Sequence, residues 1–250
     1  MSIHREQIAV ASYNIHSGIG LDGRCRPSRI GSVLKELNCD LYALQEVDNR
    51  PGDHAESMQL DYLAAQMNMH AIPGLRIVRH VGEYGNAILT RLPLLSARIH
   101  DLSFGRYEPR GAIDIHVAVN DKPLRVIATH LGLRRSERHF QWSRLMTALM
   151  ESEALNVPTI MLGDMNEWWP HASTLKATHT IFGGQPLAPA GFPSWAPCLS
   201  LTRIWVRPSA AVLSTEVHRS PTLRSASDHL PVKVTIDARR LQPLYIPHSR

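Results

Sequence analysis

The sequence lacks most of the features that assign a protein quickly. Only three of its 250 residues are cysteine, Cys25, Cys39 and Cys198, in no finger-like spacing. An odd, scattered set argues against a disulfide framework and suits a reducing compartment. No stretch approaches the roughly 20 apolar residues that cross a bilayer. The opening MSIHREQIAVASYNIH also lacks the apolar core of a signal peptide. The expectation is a soluble, cytoplasmic protein with no transmembrane segment. There is no Gly-x-Ser-x-Gly elbow for a serine nucleophile and no Gly-Lys-Ser/Thr loop to cradle phosphates. No close His pair or thiolate set is present to hold structural zinc. Charge of one sign is not abundant either: 27 Lys and Arg against 22 Asp and Glu leave a formal net charge of +5. That excess suits an anionic substrate, such as a phosphate ester, nucleic acid or an anionic lipid headgroup, without providing a basic arm. The densest basic cluster, GLRRSERHF (132–140), reads as the solvated first turn of a helix.

What is present is an ordinary globular composition, 44% hydrophobic and 20% charged, with ample material for a core. Strand-like and helix-like runs alternate without repeats or a long linker, which predicts one domain over 1–237 and a peripheral tail over 238–250. QIAVASYNI, DLYALQEV, GNAILTRLP, LLSARIHDL, GAIDIHVAV, TIMLGD, SLTRIWV, AAVLSTEVHR and LPVKVTI read as strands. RPSRIGSVLKELN, ESMQLDYLAAQMN and the long SERHFQWSRLMTALMESEAL, with Ser136 as its N-cap, read as helices, and a short helix follows near 171–177. A hairpin is expected around Asn120-Asp121-Lys122-Pro123. Helices between some strands and hairpins between others predict a mixed α/β sheet protein with helices outside.

The chemistry collects at strand ends. The first strand ends in Asn14, the second in Glu46, RVIATHL in His130, and TIMLGD in Asp164 with Asn166 two residues on. The last strand is entered through Asp228 and His229. Each alone is readily a turn residue or a satisfied partner. Five strand ends with such groups point to one site on a sheet edge. Glu46, Asp164, Asp228 and the amides of Asn14 and Asn166 are oxygen ligands that suit Mg²⁺ or Mn²⁺, and histidines suit proton transfer or stabilisation of an anionic transition state. Together they imply metal-assisted hydrolysis of a phosphate ester.

The ordered blocks YNIH (13–16), LQEV (44–47), YGNAILTRLPL (84–94), PRGAI (109–113), ATHL (128–131), LGDMN (162–166), GFPSW (191–195) and SASDHLPV (225–232) resemble the endonuclease/exonuclease/phosphatase superfamily of DNase I-like enzymes. The resemblance implies a four-layer α/β sandwich, two packed mixed β-sheets flanked by helices, with the site at their common rim. It implies Glu46 as the principal metal ligand with Asn14 nearby and Asp228 as a second metal-side carboxylate. Asp164 would orient or deprotonate the attacking water, Asn166 would hold the phosphate, His229 would contact a phosphoryl oxygen, and His130 would be the second catalytic histidine. Asn86 and Arg110 look like substrate-side groups, Arg110 being equally readable as a surface ion pair. Trp168 and Trp169 read either as pocket walls or as packing residues.

One position departs from the pattern. In LSLTRIWV, Thr202 occupies the slot where the superfamily usually has an aspartate bonded to the histidine of the Asp-His pair. A hydroxyl orients an imidazole weakly and hardly stabilises its charged form. Thr202 therefore predicts retained metal binding with reduced turnover, or a relative that binds a phosphorylated ligand without cleaving it.

Overall fold

The computed structural model describes residues 4–52, 54, 56–78, 82–150 and 156–242. It contains two mixed sheets with helices on their outer faces. The strands are β1 (Gln7–Asn14), β2 (Leu41–Asn49), β3 (His70–Val78), β4 (Glu83–Thr90), β5 (Leu94–Asp101), β6 (Gly111–Val119), β7 (Lys122–His130), β8 (Thr159–Asp164), β9 (Thr202–Arg207), β10 (Val212–Val217) and β11 (Val232–Asp237). The first sheet runs β10-β11-β1-β2-β4-β3, the second β5-β6-β7-β8-β9. The helices are α1 (Pro27–Leu37), α2 (Gln59–Met67), α3 (Arg135–Leu149), α4 (Ser173–Ile181) and α5 (Pro221–Ala226).

Each sheet holds one parallel pair, β1 with β2 and β7 with β8; the other pairings are antiparallel. Parallel neighbours need a crossover. α1 supplies it in the first sheet and α3 in the second. The two pairs contact each other across the sandwich, β1 and β2 against β8. Their carboxyl ends therefore reach the same rim, where ligands tend to bind in open α/β sheets.

Three apolar clusters account for the four layers. One lies between the sheets and includes Val10, Ile88, Ile115, Val126, Leu162 and Val234. A second seals α1 and α2 onto the first sheet through Ile30, Leu34, Leu63 and Leu89. The third packs Trp142, Leu145 and Leu175 from α3 and α4 onto Met161 and Trp205 of the second sheet. β2 is buried at every position but Glu46, as a central strand covered on both faces should be. Pro27 opens α1, and Asn38 and Asn68 close α1 and α2 in the left-handed conformation.

Several details differ from expectation. β3 was not anticipated, because Pro73 and Gly74 interrupt its pattern; as an edge strand it tolerates the missing donor. α5 was likewise not foreseen. α3 starts at Arg135 without any side-chain cap, so Ser136 lies inside the helix; residues 151–155 of the expected longer helix are outside the described residues. The β6–β7 turn is Asn120-Asp121, both with positive φ, and Pro123 already belongs to β7. The start of the expected tail is not peripheral: Ala238 and Leu241 are buried in the inter-sheet cluster, while 243–250 lie outside the described residues.

Candidate active site

The strand ends named above converge. β7 and β8 pair in register His130 to Asp164, and β1 pairs with β2 in register Asn14 to Gln45. Asp164 is the hub. Its Oδ2 lies 3.2 Å from Asn14 Nδ2, 3.8 Å from His130 Nε2 and 3.7 Å from His229 Nε2. Its Oδ1 accepts the Asn166 backbone N–H at 2.9 Å. Burial pushes the Asp164 pKa up, but the two imidazoles, the Asn166 N–H and the Asn14 amide outweigh it, so the carboxyl sits below its usual range.

The backbone around the hub is unusual where the chemistry is. Gly163 has φ 150°, and a Cβ there would collide with the Thr129 carbonyl oxygen, so only glycine brings β8 this close to β7. Asn166 is left-handed, with φ 48°. Glu46 is too, at φ 59°, inside a bulge where the β2–β4 register shifts between Leu44 and Val47. A bulge re-aims a side chain, and left-handed φ at a non-glycine residue is a strain that clusters at functional sites. Here it turns Glu46 towards Asn14, whose Nδ2 donates to Glu46 Oε1 at 2.8 Å.

Asn14 Oδ1 accepts the His16 backbone N–H at 3.0 Å, so its amide offers nitrogen to Glu46 and Asp164. That differs from the expected oxygen ligand: as placed, Asn14 bridges the two carboxylates. Asp228 is at the mouth, one third exposed, with Oδ1 3.7 Å from His16 Nδ1. Asn166 Nδ2 donates to the Leu131 carbonyl at 2.7 Å and lies 3.0 Å from His130 Nε2. The two expected substrate-side groups face inward. Asn86 is buried and donates to the Gly111 carbonyl at 3.1 Å. Arg110 reaches His130 Nδ1 at 2.8 Å and pairs with Glu108 at 3.2 Å.

His130 is buried, and burial together with the Arg110 charge lowers its pKa to about 3. It is a neutral ring at working pH. His229 is held differently. Its backbone N–H donates to Ser227 Oγ at 3.2 Å, its ring packs on Phe192 with centroids 4.6 Å apart, and its nearest carboxylate is Asp164. Thr202 lies opposite Asp164 in the β8–β9 register, buried, with no hydrogen bond to His229. Directly opposed residues in an antiparallel pair project to one face. Thr202 thus stands beside Asp164, and Asp164 is the carboxylate left for His229.

Reading the sequence missed three contributors. The Tyr84 hydroxyl hydrogen-bonds Glu46, and burial followed by the Glu46 charge raises its pKa well above the usual tyrosine value. Ser227 Oγ donates to the Asn14 carbonyl at 2.8 Å, tying the β11 entry loop to β1. Phe192 packs on the His229 ring at a 39° tilt. Tyr84, Ser227 and Phe192 lie inside blocks quoted for the resemblance, which is the signal that could have found them. A groove of about 1140 Å³ runs between α3 and the loop before α4; it begins at Glu167, one residue past Asn166 in the chain, and neither Asp164, Asn166 nor the two site histidines line it. Leu133, Arg135, Glu167, Trp168 and Trp169 line it, and both indoles are more than half exposed, so they wall space rather than pack.

The sequence profile of the Endonuclease/Exonuclease/phosphatase family matches residues 11–229. The chain belongs to that family. The family is one of metal-dependent phosphoesterases. Over 247 residues, 91% of this chain and 95% of the relative, it is 28% identical to the uncharacterized protein YbhP of Escherichia coli K12. A functionally unknown conserved protein from Enterococcus faecalis superposes with TM-score 0.72 at 20% identity, covering 91% of this chain and 98% of the other. An endonuclease/exonuclease/phosphatase from Beutenbergia cavernae gives TM-score 0.72 at 19% identity over 93% and 72%. Truncated Caenorhabditis elegans TDP2 gives 0.66 at 17% over 92% and 97%. These likenesses establish the DNase I-like mixed α/β fold. No helix among the described residues is long and apolar enough to cross a membrane.

Proposed function

We propose that the chain is a divalent-metal-dependent phosphodiesterase in which Glu46 is the principal metal ligand and Asp164 orients or deprotonates the attacking water. The observation that carries this reading is the state of Asp164. It is 1% exposed and ionised, yet both neighbouring imidazoles stand at ion-pair distance, beyond hydrogen bonding. Its oxygens accept from Asn14 and Asn166, which leaves Oδ2, close to both rings, with acceptor capacity that suits a water with a phosphoryl oxygen beside it.

The donor set fits a hard cation. Among the described residues no three His, Cys, Asp or Glu side chains converge into a closed cage. Mg²⁺ and Mn²⁺ sites commonly use one or two carboxylates and complete the shell with water and substrate oxygens. Glu46, half-buried and steadied by Asn14 and Tyr84, would be the first carboxylate and Asp228 the second. When bound, the ion supplies charge stabilisation at the phosphoryl oxygens. The remaining steps belong to the chain itself. Asp164 takes the proton of the attacking water. Asn166, neutral His130 and His229 donate to phosphoryl oxygens, and Asn14 keeps the metal-side and water-side carboxylates in alignment.

We read the substrate as a diester, with the groove that begins at Glu167 as the space a second substituent would occupy. Its indoles and Arg135 suit a nucleic acid strand, a lipid headgroup or a small phosphodiester. The test is hydrolysis of an activated diester and the matching monoester with Mg²⁺, Mn²⁺ or excess EDTA. The expected result is metal-dependent turnover, faster on the diester and lost in Glu46→Gln. Thr202 supports a second reading, a phospho-ligand-binding relative; binding without turnover, unaffected by Glu46→Gln, would decide for it.

A further inference from the structure

Arg110 and His130 meet in an arrangement with one consistent assignment of protons. Arg110 Nη1 lies 2.8 Å from His130 Nδ1. A guanidinium only donates and keeps its charge at any working pH, so the facing Nδ1 must carry the lone pair. A neutral imidazole has a single N–H, which places it on Nε2. The surroundings of Nε2 hold no good acceptor. Asn166 Nδ2 is 3.0 Å away, but its donation to the Leu131 carbonyl at 2.7 Å fixes that amide with nitrogen towards His130. Asp164 Oδ2, at 3.8 Å, is beyond hydrogen-bond range. A buried N–H facing a donor on one side and a distant carboxylate on the other is costly and calls for an explanation. Arg110 is not optimised for its own bonding either: its Nε is buried without a partner.

We infer that Arg110 is a positioning residue that locks His130 in the Nε2–H tautomer, aiming a neutral, preorganised N–H beside Asp164 at a substrate phosphoryl oxygen. The identity of that oxygen rests on the phosphodiesterase reading; the tautomer does not. The assignment moves Arg110 from phosphate clamp to the support of a donor. Such a donor needs no reorganisation when negative charge develops on the phosphoryl group, which is where fixed N–H groups contribute most. Glu108, at 3.2 Å from Nη1, steadies the guanidinium from the solvent side.

The test is ¹⁵N NMR of the histidine rings in the full chain at neutral pH, with His130→Gln identifying the resonances. Wild type is expected to show His130 with Nε2 protonated and Nδ1 unprotonated. Arg110→Met should shift the ring towards the Nδ1–H form, and Arg110→Lys, which keeps a charged donor, should restore the original tautomer. An Nδ1–H ring in wild type, or a tautomer unchanged in Arg110→Met, overturns the lock. On a small activated diester, Arg110→Met should lower kcat by about ten- to a hundredfold with KM nearly constant, since wrong-tautomer and lost-donor changes act on the transition state. A large rise in KM with kcat preserved would restore the clamp and overturn the inference. A wild-type protein without turnover, but with an Arg110-dependent Nε2–H ring, would support the lock and overturn the phosphodiesterase reading.

Discussion

Two buried aspartates in the second sheet, Asp114 on β6 and Asp164 on β8, keep company with histidine and have opposite surroundings. Asp114 is saturated. It accepts from Arg125 Nε at 2.9 Å, Arg125 Nη2 at 2.6 Å and His100 Nε2 at 2.9 Å. Burial raises its pKa, but Arg125 and His100 more than offset that and hold it at about 2. Asp164 is the more buried of the two, yet its histidines stand off at 3.7 and 3.8 Å. A carboxylate buried only for stability gathers every donor it can, as Asp114 does. One that leaves lone pairs open between two rings is arranged for something that comes and goes. Asp114 lies where Arg125 also ties to the α3 carbonyl of Ala148, away from the rim. Asp164 lies where the parallel pairs end.

The contrast is open to several tests. The largest effect is expected at the saturated site. Asp114→Ala strands the buried Arg125 and should cost roughly 3–5 kcal/mol in denaturant unfolding. Turnover of the remaining folded protein should be nearly unchanged. Acid stability separates the two clusters next. His130 is lowered to about 3 in the fold and titrates near 6.5 when unfolded, so the unfolded chain binds the extra proton in between. Stability should therefore be full above about pH 6.5 and fall by a few kcal/mol as pH drops towards 3, a slope that His130→Gln reduces. Asp114, depressed to about 2, adds its own loss only below about pH 4, as the pH falls towards that value. A smaller effect is expected from Thr202→Asp, which adds a second carboxylate beside Asp164. It should raise kcat several-fold under matched metal and pH, and an unchanged rate would show that Asp164 alone suffices for His229. The smallest belongs to the groove: Trp168→Ala should raise KM for a bulky diester by a few-fold and leave a small activated diester unaffected.

Much of this was legible in the sequence because its signals are local. Period-two and period-3.6 patterns marked most strands and the long helices, and the residues at strand ends announced Asn14, Glu46, His130, Asp164 and His229. What the sequence hid were pairings across long separations. Nothing in PRGAI says that Arg110 bonds His130 twenty residues later, or that Asn86 is held by the Gly111 carbonyl. The Asp114–Arg125–His100 cluster was equally invisible: the alternation in GAIDIHVAV puts Asp114 on the face expected to be open, whereas the fold buries it against Arg125 and His100. β3 escaped because Pro73 and Gly74 break its alternation, and the buried start of the tail because three residues of tight helix carry no period. For Asn14 the sequence suggests an oxygen ligand, whereas the fold turns its nitrogen to Glu46 and Asp164.

The central claim is that Asp164 is held open for catalysis and Asp114 is closed for stability. The most direct measurement is turnover of an activated phosphodiester, with saturating Mg²⁺ or Mn²⁺, by Asp164→Asn beside wild type, with folding verified by thermal melting. Loss of kcat by about 10²–10⁴-fold in a folded variant is the predicted result, the usual weight of a positioned acid–base group. A folded Asp164→Asn variant that turns over at the wild-type rate would contradict the account.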